Sequence, residues 1–177
     1  MSGVRRRVAI SAARLSSVVS RALGRGGGTA LPGLVAERLD PDLVREVIAQ
    51  AALGTVLVSG TNGKTTTSLI VSEMVRAAGY DPLHNHAGSN LMRGIAATVV
   101  AESSLGGRLD SAERRLAVLE LDEAALPAAA EAIAPRAIVL LNLFRDQLDR
   151  YGEVDIVADK WRAMVRSLPP TTILVLN

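Results

Sequence analysis

Apolar positions along this chain fall into two alternating rhythms. Short runs with little polar interruption, at residues 55–59, 80–83, 116–119, 137–141 and 171–176, read as strands. Between them, residues 66–78, 91–104, 124–133 and 153–168 repeat their apolar positions every three or four residues, as helices do. Strands this continuous in apolar character belong to a sheet covered on both faces. Strand and helix in strict alternation predict an α/β fold with a mostly parallel sheet and flanking helices. Gly79 suits a left-handed end to the helix before it, and Pro169-Pro170 stop the last one. Asp40 and Pro41 read as N-cap and first residue of a further helix that runs to about Ala52 and ends at Gly54.

The first residues have a different texture. Val4 to Leu23 is helical by pattern, with Val4, Val8, Leu15, Val18, Val19 and Ala22 near one face. The plainest reading is a helix packed on the body with its arginines solvated. A membrane-surface helix drawn to anionic lipid and an organelle transit peptide are the other two. Gly24 to Gly33 reads as a glycine-rich connection, which divides the chain into an arm with linker, 1–33, and a main domain, 34–177.

Charge sharpens this division. The chain has 177 residues with 20 basic and 18 acidic side chains, a net charge of +2. Arg5, Arg6, Arg7, Arg14, Arg21 and Arg25 lie in the first 28 residues, which contain no acid, so the rest carries 14 basic against 18 acidic groups, a balance of −4. Basicity confined to the arm argues against a nucleic-acid-binding domain. With 49% hydrophobic and 21% charged residues the composition is that of a globular protein long enough to bury a core, and no apolar run is long enough to span a bilayer. Aromatic residues make up only 2%, so that core must be aliphatic, and the lack of cysteine excludes disulfides and thiolate metal sites within these residues.

Candidate chemistry begins where the run at 55–59 meets Gly60-Thr61-Asn62-Gly63-Lys64-Thr65-Thr66-Thr67. Strand, glycine-bearing turn and helix in succession are what a phosphate-binding loop requires. Gly60 and Gly63 allow a tight turn and close backbone approach to an anion, which then meets the positive end of the helix dipole. Lys64 adds a point charge for terminal phosphates, and the Thr65 hydroxyl is a magnesium ligand by type. The spacing is shorter than the general G-x-x-x-x-G-K-[ST] pattern, which would need glycine at Val58.

Other groups fall at strand ends. Leu116 to Leu119 delivers Glu120, Asp122 and Glu123, the place where a phosphate-loop protein keeps a magnesium-binding carboxylate. Glu120 is the ligand by this reading, and Asp122 competes as a cap for the helix that follows. Asn142 to Gly152 is densely polar just past a buried strand, where ligands bind in doubly wound sheets, so Asn142, Asp146 and Tyr151 are candidate nucleotide contacts. His84 and His86 lack a third metal ligand within sequence reach and read as parts of a polar loop.

Three segments in order, GTNGKTTT at 60–67, LELDE at 119–123 and LNLFRDQLDRYGE at 141–153, resemble the central ATPase domain of the Mur ligase superfamily, a P-loop-like α/β domain. RGGGTALPG at 25–33 and HAGSNLMRG at 86–94 make the chain most similar to the MurT family, the ligase-like subunits of lipid II isoglutaminyl synthase. The resemblance implies a cytoplasmic ligase at the inner membrane face that uses ATP and Mg2+ in peptidoglycan synthesis. It would activate the α-carboxylate of D-glutamate in lipid II and amidate it with ammonia from a GatD-like glutamine amidotransferase partner. ATP would be held by Gly60, Thr61, Asn62, Gly63, Lys64, Thr65, Thr66, Asn142, Asp146 and Tyr151. Thr65 and Glu120 would hold the metal, with Gln147 standing where most Mur ligases have a histidine ligand. Lys64 would act on the transferring phosphoryl group. Lys160 matches a region that in several Mur ligases supplies a cation or a carbamylated metal ligand, against the plain reading of a solvated helix lysine. Folylpolyglutamate synthases share the loop, and a non-catalytic ATP-binding module is a further alternative. The family pattern continues past Asn177 into a second domain, so the chain is expected to be incomplete at its C-terminus and inactive by itself.

Overall fold

The computed structural model describes residues 2–22, 30–85, 91–144 and 153–177. Its helices are α1 (Ser2–Ala22), α2 (Ala30–Leu39), α3 (Leu43–Ile48), α4 (Lys64–Ala77), α5 (Met92–Glu102), α6 (Leu126–Ile133) and α7 (Glu153–Ser167). Its strands are β1 (Thr55–Ser59), β2 (Asp81–His84), β3 (Arg115–Leu121), β4 (Ala137–Leu140) and β5 (Ile173–Leu176). They form one sheet in the order β2-β3-β1-β4-β5, with every neighbouring pair parallel. The α/β architecture with its parallel sheet is therefore as the alternating rhythm predicts.

The central strands explain why the runs were continuous. Leu57 and Val58 are both fully buried, and so are Ala117, Val118 and Leu119 in succession. Successive side chains point to opposite faces, so both faces of the sheet are covered. Each leucine and valine among them contributes roughly 1.5–3 kcal/mol through burial. Helix α4 packs on β1, β2 and β3, while α6 reaches β1 and packs on α3 and α7. Pro82 sits in β2, which bonds only β3 on one side, so its missing N–H costs no ladder bond on an inner strand.

The N-terminal region departs from expectation in three ways. First, the connection placed at Gly24 to Gly33 is helical from Ala30 onward, the rest of it lying among residues 23–29 outside the described residues. Pro32 falls in the first turn of α2, where a missing N–H is harmless. Gly33 is there for close packing, since a Cβ at that position would collide with the Arg93 carbonyl at the start of α5.

Second, Asp40 does not cap a helix. Its carboxylate, with a fully buried side chain, accepts from Arg5 at 2.7 Å and Arg6 at 3.3 Å. The helix after it shortens to α3, with Asp42 at its N-cap position. Third, α1 does pack on the body, against α2 and α5, but with the opposite face to its apolar stripe. Ala9, Ile10 and Ala13 are fully buried, whereas Val4, Val8, Leu15, Val18 and Val19 are exposed. Small alanines let α1 approach closely, and its arginines fix the orientation. Arg6 joins Asp40 and Glu46, and Arg14 donates to the carbonyls of Val100 and Ser103 at the end of α5. Those arginines are therefore anchors and are not left to solvent.

Candidate nucleotide site

β1 carries the chain to the C-terminal edge of the sheet, and Gly60 turns it with φ +148°. A Cβ there would lie 2.9 Å from the Asn142 backbone, so the loop from β1 and the chain leaving β4 touch only because Gly60 has no side chain. Gly63 adopts φ +86° at the N-cap position of α4, and no side chain caps that helix. The amides of its first turn thus meet whatever lies beyond the loop, and the dipole makes an anion the favoured neighbour.

Asn142 is the brace of this loop. Its side-chain amide donates to the Asn62 carbonyl at 3.0 Å and its side-chain oxygen accepts from the Asn62 amide at 2.9 Å. Its carbonyl accepts from the Thr61 amide at 3.0 Å. The Thr61 hydroxyl in turn accepts from the Phe144 amide at 3.0 Å. Thr61, Asn62 and Asn142, each read as a nucleotide contact, thus spend these groups on shaping the loop.

Lys64 lies folded onto the loop. Its ammonium donates to the carbonyls of Gly60 at 2.6 Å and Thr61 at 3.3 Å, and pairs with the Glu123 carboxylate at 3.3 Å. Glu123 and Asp122 are adjacent acids with divergent titration. A hydrogen bond with Glu123, burial and the negative charge of Glu123 push the Asp122 carboxyl up, against Lys64. Burial would raise Glu123 as well, but the bond from Asp122, its own backbone amide, Lys64 and Thr61 prevail and hold it at about 2. Glu123 is therefore the more acidic member of the pair and the counter-ion of Lys64. Asp122 is not a helix cap: its side chain accepts from the Glu123 amide at 3.0 Å, and α6 begins after Ala125.

Glu120, the penultimate residue of β3, lies beside Val58 of β1 and is only 2% exposed. Its carboxylate accepts from the Ser68 hydroxyl at 3.4 Å, one turn beyond Lys64 on α4. Ser68 is also 3.0 Å from Nε2 of His84, at the end of β2. Asn85 fixes the strand end itself, donating to the Glu120 carbonyl at 2.9 Å and accepting from its amide at 2.8 Å. His84 is thus part of a strand and of the Glu120 network, not of a polar loop; His86 lies outside the described residues. Ser68 escaped the sequence reading, in which His84 is only part of a polar loop. Ser68 lies four residues after Lys64 and so on the same helical face.

Thr65 and Thr66 lie in the first turn of α4, Thr66 exposed. A carboxylate from Glu120 and a hydroxyl from Thr65 are hard oxygen donors, the type that magnesium takes alongside phosphate oxygens and water. Asp146, Gln147 and Tyr151 lie outside the described residues. Lys160 is exposed and lines a groove between α6 and α7 with Pro127, Glu131 and Leu168, apart from the groups gathered at Lys64. Its neighbour Trp161 reaches inward and donates its indole N–H to the Glu123 carbonyl at 2.9 Å.

Against known families, residues 58–177 match the Mur ligase middle domain. The chain belongs to the Mur ligase family. This Mur ligase middle domain is 36% identical over 156 residues to the lipid II isoglutaminyl synthase (glutamine-hydrolyzing) subunit MurT of Staphylococcus aureus (strain COL), covering 88% of the chain and 34% of that protein. It is also 36% identical over 165 residues to the subunit of the same name in Streptococcus pneumoniae, covering 93% and 35%. A UDP-N-acetylmuramate–L-alanine ligase of Rubrobacter xylanophilus matches at 30% over 127 residues, covering 68% and 24%. Among solved structures, MurF of Acinetobacter baumannii shares the fold with a TM-score of 0.57 at 18% identity, covering 80% of the chain and 30% of MurF. The chain spans about a third of the length of its MurT relatives.

Proposed function

We propose that this Mur ligase middle domain is the ATP-binding part of a carbon–nitrogen ligase of peptidoglycan synthesis, one that amidates the D-glutamate α-carboxylate of lipid II. The observation that carries the reading is the set of groups at one sheet edge. An uncapped α4 N-terminus, Lys64 and Glu120 converge there, in a chain 36% identical to MurT subunits. Ammonia would come from a glutamine amidotransferase partner, consistent with the glutamine-hydrolysing name of those relatives.

In this mechanism the acceptor carboxylate attacks the γ-phosphorus of ATP, the bond to the β-phosphate oxygen breaks, and ADP leaves. Ammonia then adds to the acyl phosphate carbon, the carbon–oxygen bond breaks, and phosphate departs with the amide formed. Neither step needs a covalent bond to the protein. Gly60 and Gly63 admit the phosphates to the loop, and the first-turn amides of α4 orient them. Lys64 turns from the Gly60 and Thr61 carbonyls to the β- and γ-phosphates, leaving Glu123 behind. Thr65 and Glu120 would hold magnesium, with Gln147 as a further candidate, and the metal would neutralise charge on the transferring phosphoryl group. Asp146 and Tyr151 remain proposed nucleotide contacts, and Lys160 a proposed second cation or carbamylated metal ligand.

Amidation of lipid II by the full-length protein with its amidotransferase partner, glutamine and ATP is the test. Mass spectrometry of the stem peptide should show isoglutamine with the wild type and none with Lys64→Ala. Unimpaired product from the Lys64→Ala protein would refute the site, and product only with a folate acceptor would move the domain to the folylpolyglutamate branch.

A further inference from the structure

Helix α1 presents its most apolar stripe outward. Val4 is 72% exposed, Leu15 65%, Val18 55% and Val8 54%, on a helix whose inner face is alanine, isoleucine and serine. An ordinary surface helix is the reverse, apolar inward and polar outward. A second regularity runs beside the stripe. Arg7, Arg14 and Arg21 recur every seven residues and so form one row along its flank. Arg5 and Arg6 are occupied with Asp40, Asp42 and Glu46. Among the described residues no carboxylate pairs with Arg7, Arg14 or Arg21.

The arginine row borders a cleft of about 630 Å3 at the β2 edge of the sheet, between α1, α4, β2 and α5. Arg14, Arg21 and Arg76 line a wall that is otherwise largely apolar, with Val18, Leu69 and Pro82; Arg14 is bonded to the carbonyls of Val100 and Ser103, and Arg76 is paired with Glu73. The one acid of that wall, Glu102, is paired with Arg115 at 3.2 Å. Val18 belongs both to the cleft and to the outward stripe, so the two surfaces are continuous.

We propose that this surface docks on an anionic lipid bilayer, with α1 lying in the plane of the interface. The stripe would enter the boundary between headgroups and acyl chains, and Arg7 and Arg21 would meet lipid phosphates along its flank. Charge complementarity favours this occupant. Helix α1 holds no acid, and Arg7 and Arg21 flank the stripe with no carboxylate paired to either among the described residues, so the border of the stripe is cationic. No helix among the described residues is long and apolar enough to cross a membrane. The inference rests on this surface alone and not on the ligase reading.

Co-sedimentation of the full-length protein with vesicles tests it, in buffer without nucleotide and with vesicles lacking lipid II. Vesicles of equimolar phosphatidylcholine and phosphatidylglycerol should bind the protein, and pure phosphatidylcholine should not. Leu15→Asp, and separately Arg7→Glu with Arg21→Glu, should each weaken binding at least about tenfold and more strongly at low salt. Leu15 is exposed, so Leu15→Asp should keep the wild-type melting temperature and nucleotide affinity. Absence of vesicle binding, equal binding to neutral vesicles, or indifference to both variants would overturn the proposal. A change from dimer to monomer in Leu15→Asp without any vesicle binding would assign the stripe to a second copy of the chain.

Discussion

The loop at 60–67 and helix α1 are opposite solutions to the same sequence signal. At the loop, an apolar run is buried at once, and the polar residues that follow it emerge at the sheet edge, where they can meet a ligand. Along α1, the apolar residues are the emergent ones, and polar groups do the anchoring. Burial of a central strand leaves no choice of direction, because both of its faces are covered. A helix at the periphery has a choice, and here arginine pairs with Asp40, Glu46 and the end of α5 decide it. Apolar periodicity therefore locates an element well and orients it only where nothing else competes.

Substitutions on the two faces of α1 break this comparison most directly. Ile10→Ala should cost about 2–4 kcal/mol, since the side chain is fully buried between helices. Leu15→Ala, equally apolar, should stay within about 0.5 kcal/mol by chemical denaturation. Equal losses would mean that the stripe is covered in solution.

At the loop the largest effect is on binding. Lys64→Ala should weaken ATP about 10- to 100-fold by titration calorimetry, the worth of one charge-assisted bond. Glu123→Gln removes the competitor that holds Lys64 back and should tighten ATP by a few-fold. A Glu123→Gln protein that binds more weakly would show that Glu123 supports the nucleotide.

Glu120→Ala should reduce the magnesium dependence of ATP binding more than Asp122→Ala. Glu120 is buried near the end of its strand and bonded to Ser68 of α4, whereas Asp122 is committed to the Glu123 amide. The reverse ranking would transfer the ligand role to Asp122.

The smallest effect is a pH dependence. Glu123, held at about 2, adds stability that is present above its unfolded value near 4.5 and lost as pH falls through about 2. Asp122 is shifted the other way, so it opposes the fold as pH rises through its raised value. Asp122→Asn should therefore raise stability near neutral pH, by less than about 1 kcal/mol given partial solvent screening, and leave it unchanged below pH 3. Thermal unfolding across that range measures it.

Much of the fold was legible because each strand was a bounded apolar run and each crossover a helical repeat. The loop was legible because glycine, lysine and threonine have few other reasons to follow a strand in that order. What escaped was tertiary. Pro32-Gly33 looks like a break until α5 is set against it. Asp40 looks like a cap until two arginines arrive from 34 and 35 residues away. Ser68 and His84 are ordinary polar residues until three elements bring them to Glu120, and Asn142 reads as a ligand contact although it braces the loop.

The chain has a single tryptophan, 7% exposed, and its indole N–H is bonded to the carbonyl of the residue whose carboxylate holds Lys64. Trp161 is thereby a native optical probe, two bonds of the network away from the loop at 60–67. On the proposed mechanism Lys64 leaves Glu123 for a phosphate, so the local field at the indole should change and its emission with it. Fluorescence of this one tryptophan in residues 1–177 should then report occupancy of the loop, without a label and without altering a residue.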